Sequence, residues 1–197
     1  MSRTLAKIPL NLPNGLTLSR VFLIAPLLWL LEAQLFFGAY VLASWVFLTD
    51  FLDGRLARAN GQTTFAGAIL DPVADKLVAL SLFSYLFVLH RVEPWYYALI
   101  VVRDVAQLAS IPILIGWRRI LFKVAPKRIP KWGTALNFTL LGVLFVQLHT
   151  DAAGLDLSYA WILLPLYLIS GVIEVYILVT YLPRFRQIYL GQHDTFE

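Results

Sequence analysis

Six apolar runs follow one another along the chain, near Leu16–Leu31, Leu35–Leu52, Ala68–His90, Trp95–Trp117, Trp132–His149 and Tyr159–Leu182. A hydrocarbon core about 30 Å thick takes about 20 helical residues to cross, so each run is a candidate span or close to one. Lipid offers no partner to a backbone N–H or C=O, which leaves helices and closed barrels as spanning structures. A barrel needs alternating segments of about ten residues, whereas these runs are continuously apolar. The expected fold is therefore all-α: a polytopic membrane protein of six transmembrane helices in one domain, residues 1–197, with an N-terminal arm (1–13) and a C-terminal tail (183–197). The chain is 59% hydrophobic and 14% charged, against about 50% and 25% in soluble domains. It has no cysteine, so no disulfide framework is available. The opening "MSRTLAKIPLNLPNG" has neither an apolar h-region nor a small-residue cleavage site, so the first run is expected to persist in the mature protein.

Orientation follows from Lys and Arg, which concentrate in cytoplasmic connections. Basic residues fall in the N-terminal arm (Arg3, Lys7), between runs two and three (Arg55, Arg58), between runs four and five (Arg118, Arg119, Lys123, Lys127, Arg128, Lys131) and in the tail (Arg184, Arg186). The alternate connections carry Glu32, then Arg91 with Glu93, then Asp151 and Asp156. Both termini and the turn after run two are therefore expected to face the cytoplasm. Trp95, Tyr96, Trp132, Tyr159 and Trp161 lie near run ends, as interfacial anchors do.

Against this background the stretch Leu48–Leu77, "LTDFLDGRLARANGQTTFAGAILDPVADKL", places Asp50, Asp53, Asp71 and Asp75 close together in sequence. Spacings of three and four put each pair on one helix face, with Cβ atoms about 5–6 Å apart. Asn60-Gly61 between them is a chain-breaking signal. The pattern predicts two antiparallel helices joined near the cytoplasmic surface, one ending in Asp50 and Asp53 and the other beginning with Asp71 and Asp75. Carboxylates this close repel unless cations accompany them. Ionisable groups at membrane depth mark function by default. Oxygen donors without His or Cys suit Mg²⁺, Mn²⁺ or Ca²⁺ rather than zinc. Two such ions about 3.5–4 Å apart make a phosphoryl-transfer clamp. The bland reading is a solvated charged turn, but such turns usually mix signs. Gly54, Ala57 and Gly67 leave room for a ligand against the backbone, and Arg58 offers a cationic fork to phosphate. Each glycine alone is equally explained by a turn or by helix packing.

From Asp50 to Asp75 the chain reads D-x2-D-G-x2-A-R-x8-G-x3-D-x3-D. This resembles the signature of the CDP-alcohol phosphotransferases, integral-membrane enzymes that build phospholipid head groups. Eight fixed positions at about 1 in 20 each leave little room for coincidence. The resemblance implies that Asp50, Asp53, Asp71 and Asp75 bind two divalent cations, Mg²⁺ or Mn²⁺. It implies that CDP-diacylglycerol lies against Gly54, Ala57, Arg58 and Gly67. Asp75 would also be the general base on an acceptor hydroxyl, and CMP the leaving group. It further implies a homodimer among membrane lipids, and no nucleic-acid partner is expected. The opening residues show no Arg/Ser-rich transit-like leader, which favours a bacterial inner membrane, and the Lys and Arg distribution turns the active site to the cytoplasm.

"LPNGLTLSRV" resembles the P-N-x-L-T-x-x-R opening of the branch holding phosphatidylglycerophosphate synthases and CDP-diacylglycerol-using cardiolipin synthases, with Asn14, Thr17 and Arg20 as the matching, supporting positions. The acceptor would then be glycerol-3-phosphate or, alternatively, phosphatidylglycerol. Lys131 and Thr134 in "PKWGTALNF" resemble that branch's later S/G-K-x-x-T element, with Arg128 nearby as a further phosphate ligand. Positive charge that merely sets topology explains much of this basic cluster. Arg103, which interrupts the fourth run beside Asp104, is expected to face a polar cavity and hold a substrate phosphate; the competing reading is an internal ion pair. The phosphatidylglycerophosphate synthases usually carry Arg-Glu here, and Arg-Asp looks more like some cardiolipin synthases. Glu174 is a partner for an arginine of the bundle, while His90, His149 and His193 form no cluster. A cation transporter with the aspartates as its ion site, and a catalytically silent scaffold, are the readings from other classes.

Overall fold

The computed structural model describes residues 12–59, 65–117, 128–155 and 157–191. Among them the chain forms six α-helices and no strand: α1 Leu12–Glu32, α2 Phe36–Ala59, α3 Phe65–Val88, α4 Pro94–Ile111, α5 Arg128–Ala152 and α6 Ala160–Tyr189. Each apolar run has become a helix. A π-helical turn, Pro112–Trp117, continues α4. Pro112 has no N–H to give the i→i−4 ladder, which is where the regular helix stops.

Three helical stretches among the described residues are long and apolar enough to cross a membrane: Pro94–Leu114, Ile129–Ala152 and Ala160–Tyr189. At 1.5 Å per residue they reach about 31, 36 and 45 Å. On α6 the side chains Trp161, Leu164, Leu168, Val172, Val175, Val179 and Leu182 are exposed in a continuous stripe. Its opposite face buries Tyr167, Ser170, Gly171, Glu174 and Ile177. Polar groups inside and aliphatic groups outside is the arrangement lipid demands of a bundle.

One expectation needs correcting. Asp50 and Asp53 do not end their helix, because α2 runs on to Ala59. The residues after Gly54 are Arg, Leu, Ala, Arg and Ala, which are good helix formers. Asp71 likewise lies in the second turn of α3 rather than at its start.

The chain divides into two compact units, Met1–Ser81 and Leu82–Glu197. In the first, α1 packs on α2. Gly38 makes this possible, since a Cβ there would come within 3.3 Å of Leu30 Cδ2. The turn between them closes with Gln34 at φ 55. Leu35 N–H bonds to Leu30 O at 2.9 Å and Gln34 N–H to Leu31 O at 3.1 Å, a left-handed helix cap formed without glycine. His90 caps α3 in the same way, at φ 56.

In the second unit, α6 packs against both α4 and α5. Tyr96, Ile100, Leu140, Leu141, Leu144 and Ile177 form its buried apolar lining. Gly171 lets the Trp95 ring close onto α6, as a Cβ at Gly171 would lie 3.0 Å from Trp95 Cζ3. Trp132 and Trp161 are exposed, as anchors are, but Tyr96 is fully buried. Its hydroxyl is drawn inward by Asn137 Oδ1 at 2.6 Å and Ser170 Oγ at 2.6 Å, so the belt reading does not hold for Tyr96.

Candidate functional site

In the first unit a polar cluster joins α1 to α3. Thr17 and Arg20 are three apart on α1, and Asp71 and Asp75 are four apart on α3. Each spacing presents both side chains of a pair on one helix face. Thr17 Oγ1 donates to Asp71 Oδ1 at 2.7 Å. The Arg20 guanidinium donates to Asp75 Oδ1 and lies 3.9 Å from Asp71 Oδ1 through its other terminal nitrogen. The donors are buried and the acceptors are not: Thr17 and Arg20 are each 1% exposed, while the Asp71 and Asp75 side chains keep 43% and 37% of their surface. Two fixed donors thus hold two carboxylates that still open onto accessible space. Pro72 lies between the two acids within α3.

Asp71 and Asp75 are hard oxygen donors with exposed surface, and among the described residues no His or Cys joins them in a metal cluster; this fits Mg²⁺ or Mn²⁺. Among the described residues no group of three or more His, Cys, Asp or Glu side chains gathers as a metal cluster. Asp50, Asp53, Gly54, Ala57 and Arg58 belong to α2, Gly67 to α3 and Asn14 to α1. The side chains at those positions lie outside the described residues, as does that of Arg128 on α5.

In the second unit Lys131 and Thr134 are exposed on the first turns of α5. Thr134 Oγ1 donates back to Pro130 O at 3.1 Å. Arg103 is buried and paired twice, to Glu174 Oε2 at 2.7 Å and to Asp104 Oδ1 at 2.9 Å. Its terminal nitrogens are thus engaged by carboxylates of the same unit, which is the internal ion pair. Glu174 takes the partner expected of it and also accepts from Asn137 Nδ2 at 2.8 Å. Asn137 and Ser170 escape the sequence reading. Their only signal is an amide and a hydroxyl standing inside otherwise apolar runs.

A family model described as CDP-alcohol phosphatidyltransferase matches residues 10–173. Among the chain's relatives, the protein named CDP-diacylglycerol–glycerol-3-phosphate 3-phosphatidyltransferase from Aquifex aeolicus (strain VF5) is 34% identical over 148 residues, 74% of this chain and 76% of its own length. The protein of the same name from Pseudomonas fluorescens is 35% identical over 185 residues, 88% and 89% of the two chains. A cardiolipin synthase (CMP-forming) from Streptomyces coelicolor is 29% identical over 157 residues, 77% and 71%. With a family match over most of its length and relatives at 34–35% identity, the chain belongs to the CDP-alcohol phosphatidyltransferase family.

Proposed function

We propose that this protein is a phosphatidylglycerophosphate synthase: it transfers the phosphatidyl group of CDP-diacylglycerol to a hydroxyl of glycerol-3-phosphate and releases CMP. The observation that carries this reading is the seating of Asp71 and Asp75 on the Thr17 hydroxyl and the Arg20 guanidinium. Those four residues belong to the two motifs by which the chain resembles this branch. Relatives named for transfer to glycerol-3-phosphate, at 31–35% identity, favour that acceptor. Phosphatidylglycerol is the second reading, favoured by the Arg103-Asp104 pair and by the relatives named cardiolipin synthase.

In this reading Asp50, Asp53, Asp71 and Asp75 hold two divalent cations, Mg²⁺ or Mn²⁺, which when bound neutralise charge developing on the diphosphate. Gly54, Ala57, Arg58 and Gly67 receive the CDP-lipid. Lys131, Thr134 and Arg128 receive the acceptor phosphate, aided by the positive end of the α5 dipole. Asp75 accepts the proton of the acceptor hydroxyl. The freed oxygen pair bonds to the lipid-side phosphorus, the bond from that phosphorus to the bridging oxygen breaks, and CMP leaves with its electrons. Thr17 and Arg20 keep the carboxylates in place throughout. Asn14 precedes Thr17 by about one turn and supports the same helix face. The six apolar runs support six spans in a bacterial inner membrane, and the distribution of Lys and Arg supports both termini on its cytoplasmic side. A homodimer completes the proposal.

Asp71→Asn tests the assignment. The account expects turnover lost with the fold retained; a folded Asp71→Asn protein that still releases CMP contradicts it.

A further inference from the structure

Arg128, Lys131, Thr134 and Asn137 follow one another at intervals of three along α5. They form an i, i+3 ridge that winds around the helix by about 60° per step, from the exposed side to the buried one. The row starts in the basic first turn, with Lys131 and Thr134 exposed, and ends at Asn137, which is 4% exposed. Nothing in the transfer reaction calls for an amide there, yet Asn137 ties together three other buried side chains.

Its Nδ2 donates to Glu174 Oε1 at 2.8 Å, and Oε2 of the same carboxylate pairs with Arg103 at 2.7 Å. Its Oδ1 lies 2.6 Å from the Tyr96 hydroxyl and 3.0 Å from Ser170 Oγ, and those two hydroxyls are 2.6 Å apart. Two hydroxyl protons serve three contacts, and Oδ1 is the one oxygen of the three that cannot donate. Turning the amide over would aim Oδ1 at a carboxylate, so Glu174 dictates its orientation. The ion pair on α4 and α6 thereby fixes how α5 is rotated. Gly133 allows the approach: a Cβ there would lie 3.0 Å from Ile177 Cδ1, 3.1 Å from Ile173 Cγ2 and 3.7 Å from Glu174 Oε1.

The lock is sensitive. Side-chain tips stand about 5 Å from a helix axis, so turning α5 by about 20° would carry them about 2 Å. That is enough to break any of these bonds. The same turn would displace Thr134, one step along the row, and Lys131, two steps along, by as much.

We propose that Asn137 is a positioning residue for the acceptor. Held by Glu174, Tyr96 and Ser170, it sets the rotation of α5 so that Lys131 and Thr134 stand ready for the phosphate of a glycerol-phosphate acceptor. Arg103 acts at one remove, by orienting Glu174. The proposal rests on the reading of the first turns of α5 as the acceptor-phosphate site.

The test is steady-state CMP release by the detergent-purified full chain, varying glycerol-3-phosphate and CDP-diacylglycerol separately. Asn137→Leu keeps the volume and removes the polar contacts. Its expected effect is an acceptor KM raised about tenfold or more, with kcat and the KM for CDP-diacylglycerol within about threefold. Ser170→Ala removes one contact and is the gentler variant should Asn137→Leu not fold; it raises the acceptor KM about two- to fivefold. Thr139→Val, an exposed α5 position whose hydroxyl bonds back to Ala135 O, leaves both KM values unchanged. An acceptor KM that stays constant in folded Asn137→Leu and Ser170→Ala, or that rises in step with the KM for CDP-diacylglycerol, overturns the positioning role. No acceptor-dependent release by the unmodified protein would instead overturn the reading of the site on which the proposal rests.

Discussion

Thr17 Oγ1 donates to Asp71 Oδ1 across 2.7 Å, from a position that is 1% exposed to a carboxylate that is 43% exposed. A buried hydroxyl thus aims an acid that, in the proposed reading, meets a divalent cation from the open side. Outer partners of this kind orient metal ligands, and losing one typically costs 10- to 100-fold in affinity. Thr17→Val keeps the shape and deletes the donor. Mn²⁺ binding, followed by the paramagnetic signal of the free ion, is expected to weaken by about 10- to 100-fold. Wild-type affinity in a folded Thr17→Val protein would deny the hydroxyl this role.

Arg20 spans the pair, bonding Asp75 through one terminal nitrogen and standing 3.9 Å from Asp71 through the other. Lysine supplies the charge without the fork. With Asp75 in its proposed role of general base, Arg20→Lys is therefore expected to lower kcat by about 10- to 100-fold at saturating substrates, since displacing such a group by about 1 Å is costly. An Arg20→Lys enzyme turning over at the normal rate would reduce the guanidinium to a counter-charge.

These contacts mark how much of the site is legible in the sequence. The aspartates announce themselves because like charges at helical spacing are costly in an apolar chain, and the eight-position pattern points to the family. Thr17 and Arg20 are visible as motif positions, but their pairing with Asp71 and Asp75 joins residues more than fifty apart, and that partnership depends on tertiary packing. Glu174 has the arginine partner expected of it, because an unpaired acid in a bundle is untenable. Asn137 and Ser170 stay hidden, since single neutral polar residues leave no periodic trace. A tyrosine near a run end, such as Tyr96, suits an interface or a core equally, and only Asn137 and Ser170 decide for the core. Gln34 and His90 cap helices in a conformation that sequence signals reserve for glycine or asparagine. The expected end of α2 at Asp50 and Asp53 falls too early, because the alanines and arginines beyond them continue the helix.

The Arg103–Glu174 pair is buried on both sides, with side-chain exposures of 8% and 0%. Breaking such a pair by removing one member costs about 3–5 kcal/mol. Arg103→Met removes the cation that both Glu174 and Asp104 pair with, while Glu174→Leu leaves Arg103 its bond to Asp104 at 2.9 Å. Denaturant unfolding is expected to find Arg103→Met the more damaging variant. The double variant is expected to lose less than the sum of the two single losses, with a coupling of about 1–3 kcal/mol. Additive losses would show that the two side chains do not depend on each other.

Packing of α6 on α4 turns on Gly171, where an added Cβ would meet Trp95 Cζ3 at 3.0 Å and Cη2 at 3.2 Å. A rigid indole cannot bend out of the way, so Gly171→Ala is expected to destabilise by about 1–3 kcal/mol. Gly142 on α5 has nothing within 4 Å of the same point. Gly142→Ala should be neutral or stabilising by about 0.5–1 kcal/mol through helix propensity alone. Equal effects at the two sites would contradict the close α4–α6 contact.

The central claim is tested most directly by CMP release from the purified protein in detergent with CDP-diacylglycerol and Mg²⁺ or Mn²⁺, offering glycerol-3-phosphate, phosphatidylglycerol, inositol phosphate and serine one at a time. The account predicts release with glycerol-3-phosphate and with none of the others. Release with phosphatidylglycerol alone would move the protein to cardiolipin synthesis, and a folded, metal-binding protein that fails to release CMP with any of the four would contradict the account.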